Sequence, residues 1–303
     1  MAKEQISQFK DEKRTILSPK LDVVFQILFG EVGSEEITKD LLSTILDEQI
    51  NEIDLNQNIV LRRRSLEDKM GIVDVLAKIN NNEYCNIEMQ ILDNKNSIKR
   101  ILYYWAKKYI LELQKGKDYT NLKRTICVLI ADYEIEELKE ICFHSKWKII
   151  EEHERKKILT EDFEIHIIEL PKIKKGKANG KDRKLIEWLS FLENPESKEV
   201  IHYMKKNKNI KKAKEKLNIM SEDETVRRLA ELREKAILDE KSARTASYNE
   251  GKNDGFIDGH TKGFNEGFEQ KNKENAKKMQ EEGIDINTII KITNLTKEEI
   301  EKL

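Results

Sequence analysis

The chain of 303 residues is long enough for two domains and a further C-terminal module. Charged residues make up 37% of it, apolar residues 38% and aromatic residues 7%, a balance typical of a helix-rich folded protein and not of a disordered chain. The 56 basic and 57 acidic residues leave a net charge of -1, which argues against a uniformly basic nucleic-acid binder. An anionic partner must therefore meet a local patch of basic residues.

The cysteines, the histidines and the N-terminus exclude several other classes of protein. Cys85, Cys127 and Cys142 are far apart and form no CxxC pair, which argues against a disulfide scaffold or a zinc ribbon. The five histidines lack the close spacing of a histidine metal site. The N-terminus is charged from its third residue, and no apolar stretch approaches the roughly 20 residues of a membrane span. We therefore expect a cytoplasmic protein without a membrane partner.

The first elements along the chain are two predicted helices and a predicted hairpin. In SPKLDVVFQILFGEVGSEEITKDLLSTILDEQI, apolar residues recur at intervals of three and four, which predicts two amphipathic helices. Residues 72–79 and 84–92 are short runs rich in branched side chains, which predicts two strands. The asparagines at 80–82 tolerate positive φ and suit the turn between these strands.

The rest of the N-terminal half continues the alternation of helices and strands. A helix is predicted from about 97 to 113, because its apolar residues fall on one side. Strands are predicted at 125–133 and 163–170, with a further helix between them. Residues 1–171 thus predict a mixed α/β (α+β) domain.

Beyond Pro171 the strand signals stop. Residues 172–184 are basic and contain glycine, which predicts a linker, and residues 185–248 have a helical pattern almost throughout. Ser221 and Glu224 have the spacing of a capping box, which predicts that a helix begins there.

Residues 249–303 contain a glycine repeat followed by a helical tail. Glycine recurs at every fourth position from 251 to 267. In a helix each glycine costs about 1 kcal/mol relative to alanine, so a helix here needs compensation, such as close packing against a partner helix. A flexible linker is the alternative. Thr296 and Glu299 have the spacing of a capping box in the tail. Because close packing of a partner helix would compensate the cost of the glycines, residues 249–303 are the candidate oligomerisation module.

Two acids on the predicted hairpin need an explanation. Because side chains alternate along strands, Asp74 lies on one face of the first strand, and Glu88 lies with Gln90 on one face of the second. A short turn brings these faces together, and two close carboxylates repel each other unless a cation or a proton intervenes. Carboxylate oxygens are ligands that Mg²⁺ prefers, so a metal site is one interpretation. The other is an ordinary hairpin whose polar face meets solvent.

The order of motifs around these acids resembles a known family. The pattern D-x(13)-E-x-Q in DKMGIVDVLAKINNNEYCNIEMQ, followed by KRILYYWAKKY and KGKDY, is similar to the recombination-promoting nuclease and transposase family of the PD-(D/E)XK nuclease superfamily. SPKLDVVFQILFG resembles the N-terminal helix of that family. The EWLSFL helix, the glycine repeat and the helical tail also fall where the family has similar features, so the resemblance covers most of the chain.

This resemblance implies a fold and a metal site. The fold would be a restriction-endonuclease-like mixed sheet core flanked by helices and followed by an all-helical C-terminal region. Asp74 and Glu88 would be the metal-binding acids, with Mg²⁺ or Mn²⁺ as the cofactor. Asp22 matches an acid that the family carries in its first helix and would complete the site. An ordinary surface acid near a helix N-terminus is the alternative for Asp22.

The resemblance also assigns roles to residues around the metal. Gln90 takes the position where most of the superfamily has a catalytic lysine. Its amide carries no positive charge, so either Lys78 or Arg100 would supply one. Local charge, independently of the resemblance, offers three runs that could bind phosphate: an arginine triplet before the hairpin, the basic linker at 172–184, and residues 205–216. Arginine binds phosphate oxygens through a forked pair of donors, so the triplet, which is nearest in sequence to the hairpin, is the expected DNA contact, together with Arg100. This triplet consists of Arg62, Arg63 and Arg64.

The function that the resemblance implies is metal-dependent DNA endonuclease activity, with a role in DNA recombination or in mobile-element or defence biology. The partners would be DNA and a second copy of the chain, bound through the C-terminal helices. The alternative is a catalytically inactive nuclease-like fold that acts as a DNA-binding or oligomeric interaction module. This alternative stays open because Gln90 stands where most of the superfamily has the catalytic lysine. A third possibility is that residues 270–303 read a specific DNA site.

Overall fold

A six-stranded mixed sheet forms the centre of the N-terminal part of this computed structural model. The structure describes residues 15–56, 75–80, 83–93, 95–111, 113, 118–154, 156–175 and 182–303. The strands lie in the order β1-β2-β3-β4-β6-β5, where β3 is parallel to β4 and β4 is parallel to β6. In chain order they are Ile53–Asp54 (β1), Val75–Ile79 (β2), Glu83–Gln90 (β3), Thr125–Ala131 (β4), His144–Trp147 (β5) and Phe163–Glu169 (β6).

Helices precede, interrupt and follow these strands. The α-helices of the described residues are Asp22–Gly30 (α1), Glu35–Leu46 (α2), Ser97–Leu111 (α3), Arg183–Glu193 (α4), Lys198–Met204 (α5), Lys208–Glu222 (α6), Glu224–Glu281 (α7), Ile286–Thr293 (α8) and Lys297–Ile300 (α9). Short 3-10 helices lie at Tyr119–Asn121, Glu136–Leu138 and Leu170–Lys175. The prediction of a mixed sheet flanked by helices, with a long helical C-terminal region, is confirmed.

The two faces of the sheet pack against different helices. One face packs against α1, with α2, α4 and α6 completing the layer around the fully buried rings of Phe25, Phe29 and Trp188. The opposite face packs against α3 through Ile101 and Leu129. This helix–sheet–helix arrangement buries both faces of β3 and β4, as expected for parallel strands.

The structure corrects two details of the sequence-based prediction. The segment between β4 and β6 was predicted to hold a helix, but its described residues form the 3-10 turn Glu136–Leu138 and the edge strand β5. Ser221 does not cap α7: its hydroxyl oxygen accepts a hydrogen bond from the backbone N–H of Leu17 at 3.0 Å, within α6. The carboxylate of Asp223 instead accepts from the N–H groups of Thr225 and Val226.

The chain divides into two compact units, Met1–Ile237 and Leu238–Leu303. In the second unit, α7 continues as a helix through the glycine repeat. Ala276, Ile289, Leu295 and Ile300 form a small core where α8 and α9 pack against the end of α7. The predicted Thr296–Glu299 capping box is confirmed at the start of α9. Among the described residues, no helix is long and apolar enough to span a membrane.

Candidate active site

Glu88 lies near the C-terminal end of β3 on the face of the sheet that α3 covers. Its parallel register partner is Leu129 of β4, which contributes to the core under α3. Alternation along β3 places Asn86 and Gln90 on the same face, while Cys85 and Ile87 point into the opposite core. The Glu88 side chain is only 4% exposed. A carboxylate thus occupies a position where packing alone favours an apolar side chain.

The charge of Glu88 is only partly compensated by its neighbours. One carboxylate oxygen accepts from the amide Nδ2 of Asn86 at 3.3 Å, and the other accepts from Nε2 of Gln90 at 3.1 Å. The guanidinium Nη2 of Arg100 is 3.9 Å from the second oxygen. Burial raises the pKa of Glu88, and the influence of Arg100, Gln90 and Asn86 does not cancel that rise. The site therefore holds a carboxylate that an additional cation would stabilise.

Gln90 is held from two sides. Its Nε2 donates to Glu88, and its carbonyl oxygen Oε1 accepts from the hydroxyl of Tyr133 at 2.9 Å. The Tyr133 hydroxyl lies 2.7 Å from the hydroxyl of Ser97, the first residue of α3. Sequence reasoning did not select Tyr133, Ser97 or Asn86 as site residues. The signal for Asn86 was the alternation that places it beside Glu88, whereas no local pattern marks the other two.

Two buried atoms at the site lack hydrogen-bond partners among the described residues. They are the carbonyl oxygen Oδ1 of Asn86, next to Glu88, and the guanidinium Nε of Arg100. Buried polar atoms are normally paired, because an unpaired one costs about 1–3 kcal/mol. An unpaired acceptor and an unpaired donor therefore lie beside the buried carboxylate of Glu88, where each could accept or donate one further hydrogen bond.

Lys78 and Arg100, the two residues expected to supply a positive charge beside Gln90, lie at different distances from Glu88. Arg100 projects from the first turn of α3 towards Glu88 and lies 5.7 Å from the ring centroid of Tyr104. Lys78 pairs instead with Tyr84, four residues before Glu88 on β3, and its Nζ is 6.0 Å from that ring. Four residues along a strand span roughly 13 Å. Arg100 therefore lies close to Glu88, and Lys78 does not.

Asp22 begins α1 and pairs with an arginine. Its carboxylate lies 2.6 Å from Nε of Arg233 in α7 and accepts the backbone N–H of Val23. Lys20, just before α1, pairs with Asp132 at 2.6 Å, and the backbone N–H of Asp132 donates to the carbonyl of Gln90. The segment that leads into α1 therefore lies beside the end of β3, although Asp22 itself is neutralised by Arg233.

The remaining predicted site residues lie outside the described residues. These are Asp74 and the triplet Arg62, Arg63 and Arg64. Within the part of the chain that the structure describes, no group of three or more acidic, histidine or cysteine side chains is arranged to hold a metal ion. All three cysteines are free thiols.

Comparison with known families assigns the chain to one of them. The sequence model of the PD-(D/E)XK nuclease family transposases matches residues 19–247, which is more than half of the chain. The chain belongs to this family. The match in this PD-(D/E)XK nuclease family transposase runs from the segment before α1 to the first part of α7, and it includes Asp22, Glu88, Gln90 and Arg100. The glycine repeat, which begins at Gly251, lies beyond the matched residues.

Family membership supports a function of the nuclease or transposase type. Comparison with curated proteins and with solved structures gives no match.

Proposed function

We propose that this protein is a divalent-metal-dependent DNA endonuclease with Glu88 as a metal ligand. The observation that carries the proposal is the buried carboxylate of Glu88, whose pKa is raised by burial and whose ion pair among the described residues, with Arg100, is 3.9 Å long. Family membership supports DNA as the substrate. It also supports a role in recombination or in mobile-element or defence biology, and we retain the sequence-based expectation of a cytoplasmic protein.

The donor atoms at the site fit a hard divalent cation. Mg²⁺ and Mn²⁺ prefer carboxylate, carbonyl and water oxygens. Glu88 supplies a carboxylate, and the carbonyl oxygen of Asn86 is buried without a partner among the described residues. Asp74 directly precedes Val75, whose register partner Ile87 directly precedes Glu88, which supports our proposal of Asp74 as the second ligand. Asp22 is proposed as a third ligand, which requires release of its pair with Arg233.

A divalent cation at such a site lowers the pKa of a bound water and stabilises negative charge on a phosphate. The side chains of the protein would position the metal and the phosphate. Glu88 would hold the metal in a defined position, because the neighbouring amides of Asn86 and Gln90 orient its carboxylate. Gln90 presents N–H donors where the superfamily has a lysine, and Arg100 supplies the positive charge that an amide lacks. Glu88, Asn86 and Gln90 are buried, which strengthens the electrostatic interactions among them.

The surface of α3 next to this site is suited to DNA. The helix carries Lys99, Arg100, Lys107 and Lys108 and no acidic residue. The Tyr103 side chain is 59% exposed and packs edge-on against Tyr104. Basic side chains attract phosphates, and exposed tyrosine rings offer a stacking surface for bases. We propose this helix as the DNA contact with Arg100 at its centre, alongside the arginines at 62–64.

The test of the proposed function is cleavage of supercoiled plasmid by the purified chain in Mg²⁺, in Mn²⁺ and in EDTA. Nicking is expected with either metal and none with EDTA. Equal nicking with EDTA would overturn the metal-dependent mechanism. Absence of nicking, combined with absence of heat on calorimetric titration with Mn²⁺, would overturn the enzyme and leave the inactive DNA-binding or interaction module.

Replacement of Arg100 by alanine is expected to lower kcat/KM for plasmid cleavage roughly ten- to a hundredfold, the value of one charge-assisted contact. The dependence of DNA affinity on salt should become shallower by about one phosphate contact. The matched control is Arg228→Ala, which removes an arginine that is 70% exposed on α7 and pairs with Glu231. If both variants have the same kinetics and the same salt dependence, Arg100 does not contact the substrate.

We also propose that the chain forms a homo-oligomer through the glycine repeat of α7. A Cβ atom added at any of the five repeat glycines would meet no atom within 4 Å in the described chain, so intrachain packing there does not require glycine. Each glycine nevertheless costs about 1 kcal/mol of helix stability. Phe256, Phe264 and Phe268 follow these glycines and are 70%, 67% and 56% exposed. Close approach of a second copy explains both features, because its aromatic rings can pack over the glycine positions.

Replacement of Gly255, Gly259 and Gly263 together by alanine is expected to weaken self-association while it stabilises the isolated helix by about 3 kcal/mol. The measurement is the mass by light scattering at micromolar concentration, combined with helicity by circular dichroism. Alanine at Asn253 and Asn265, which lie in the same segment, is the matched control. A wild-type mass of one chain, or an unchanged mass in the triple variant, would contradict association through this stripe.

A further inference from the structure

Two hydroxyl groups that the proposed mechanism has not used form a chain behind Gln90. The hydroxyl of Tyr133 is 2.9 Å from Oε1 of Gln90 and 2.7 Å from the hydroxyl of Ser97. Tyr133 follows the end of β4 and is half-buried, whereas Ser97 begins α3 and is 4% exposed. Three separate elements thus meet at the amide of one glutamine.

The direction of the hydrogen bonds in this chain follows from the number of protons. The carbonyl oxygen of Gln90 can only accept, so the single proton of the Tyr133 hydroxyl is donated to it. The Ser97 hydroxyl must then donate to the oxygen of Tyr133. At the other end, Nε2 of Gln90 donates to the carboxylate of Glu88 at 3.1 Å. The whole chain runs in one direction, from Ser97 to Glu88.

We propose that Tyr133, supported by Ser97, is a positioning residue that makes Gln90 act as a hydrogen-bond donor in place of the superfamily lysine. The inference rests on the proposed nuclease function. A lysine ammonium has only donors and needs no orientation, whereas an amide presents either N–H groups or an oxygen. In the metal-free protein the negative charge of Glu88 also favours the N–H side. If a cation neutralises that carboxylate, Glu88 no longer selects the N–H side of the amide. The hydrogen bond from Tyr133 to Oε1 would then keep the Gln90 oxygen directed away from Glu88.

The first experiment observes the amide itself in the metal-free protein and in the Mg²⁺-loaded protein. The side-chain NH₂ signal of Gln90 is recorded by NMR on glutamine-labelled protein and assigned by its loss in Gln90→Glu. In Tyr133→Phe this signal is expected to shift, and its hydrogen exchange should become about tenfold faster, as one lost hydrogen bond implies. The matched control is Tyr109→Phe, which removes a tyrosine hydroxyl that donates to Asp162 at 3.0 Å. An unchanged Gln90 signal in Tyr133→Phe would overturn the proposal.

The second experiment is a double-mutant cycle on plasmid cleavage. Tyr133→Phe is expected to lower kcat about three- to tenfold, with little change in KM, because the donor acts on the transition state. In a Gln90→Lys background the same substitution should change kcat by less than about twofold, since the interaction it removes no longer exists. A purely structural role of Tyr133 predicts equal losses in both backgrounds and would overturn the proposal.

The two experiments separate failure of the inference from failure of the proposed function. If the wild-type chain does not cleave DNA, the nuclease proposal fails, and the NMR measurement alone decides whether Tyr133 orients Gln90. If the chain cleaves DNA and the cycle is additive, the nuclease proposal stands and the role of Tyr133 is rejected. Ser97→Ala serves as a second variant, expected to change the Gln90 signal in the same direction by a smaller amount.

Discussion

Replacement of Glu88 by glutamine is expected to lower metal-dependent plasmid cleavage by about a thousandfold or more, the order lost when a charged transition-state group is removed. The substitution keeps the size of the side chain but removes the charge that attracts a divalent cation. Calorimetry with Mn²⁺ should lose its binding heat in the same variant. Asp74→Ala should give the same loss if that acid is the second ligand.

The stability of Glu88→Gln is expected to change in the opposite direction from its activity. Burial raises the pKa of Glu88, so the folded state disfavours the ionised form, and this group contributes stability below its ordinary pKa that is lost as the pH rises. At neutral pH in EDTA the variant should therefore be at least as stable as the wild type. The introduced amide can be satisfied, because the Oδ1 of Asn86 has no partner among the described residues.

The thermal midpoint in EDTA and in excess Mg²⁺ provides the measurement for this prediction. Metal at about 100 times its Kd should stabilise the wild type by about 2.7 kcal/mol and leave Glu88→Gln unchanged. Glu136→Gln is the matched control, because Glu136 is 85% exposed and pairs only at the surface with Lys139 among the described contacts. Equal cleavage by Glu88→Gln and Glu136→Gln would show that Glu88 has no part in catalysis.

The sequence predicted the elements whose signal is local and repeated. Strands β3 and β4 and helix α3 have long apolar patterns and were found near their observed bounds. Asn80 has a φ of 41°, as predicted for the turn after β2. The edge strands β1 and β5 were missed, because strands of two and four residues are too short to show alternation. Pairing with a neighbouring strand, and not local propensity, determines that they are extended.

Capping boxes illustrate the limit of spacing as a signal. Thr296 and Glu299 form the predicted box: the Thr296 hydroxyl accepts from the N–H of Glu299, and the Glu299 carboxylate accepts from the N–H of Thr296. Ser221 and Glu224 have the same spacing, but the hydroxyl of Ser221 is engaged by the backbone of Leu17, which is distant in sequence. A tertiary contact therefore overrides the local motif, and the helix begins two residues later behind Asp223.

The sequence selected Glu88 and Gln90 as candidate site residues, but it did not select the residues that contact Gln90. Glu88 and Gln90 follow from alternation and from the resemblance to a family. Tyr133 follows β4, and the parallel pairing of β3 with β4 brings it to Gln90, while Ser97 at the start of α3 contacts the hydroxyl of Tyr133. The ion pair of Asp22 with Arg233 joins positions far apart in sequence and carries no motif. Long-range supports of this kind depend on topology, which a local pattern does not encode.

Glu164 is the centre of a buried charge cluster on the sheet face opposite Glu88. Its side chain is fully buried, and its register partner Ile126 belongs to the core under α1 and α2. Burial by itself raises the pKa of Glu164, but hydrogen bonds from His166, Lys146 and Arg124, each 2.7 Å long, outweigh it and hold the pKa far below its ordinary value.

Neutral histidines complete this cluster. The carboxylate of Glu164 only accepts, so Nε2 of neutral His166 donates to it and Nδ1 of His166 accepts from His144, whose ring nitrogen is 2.8 Å away. Burial lowers the pKa of both rings, and that of His144 falls to about 4. Each ring therefore has a defined tautomer at neutral pH, and removal of the central carboxylate leaves several donors without their acceptor.

Replacement of Glu164 by glutamine is therefore expected to destabilise the protein by about 3–5 kcal/mol, because Arg124 and Lys146 lose the buried charge that they face. The free energy of unfolding is measured with urea at pH 7.

The lowered pKa of Glu164 implies that its contribution to stability is present above its ordinary pKa of 4.5 and is lost as the pH falls below that value. The difference in stability between variant and wild type should therefore shrink in acid. Glu161→Gln removes a 65% exposed partner of Lys148 and should cost less than about 0.5 kcal/mol. Equal stabilities of the two variants would refute this role of Glu164. If Glu164→Gln is folded and still cleaves plasmid at low temperature, the cluster contributes to stability and not to catalysis.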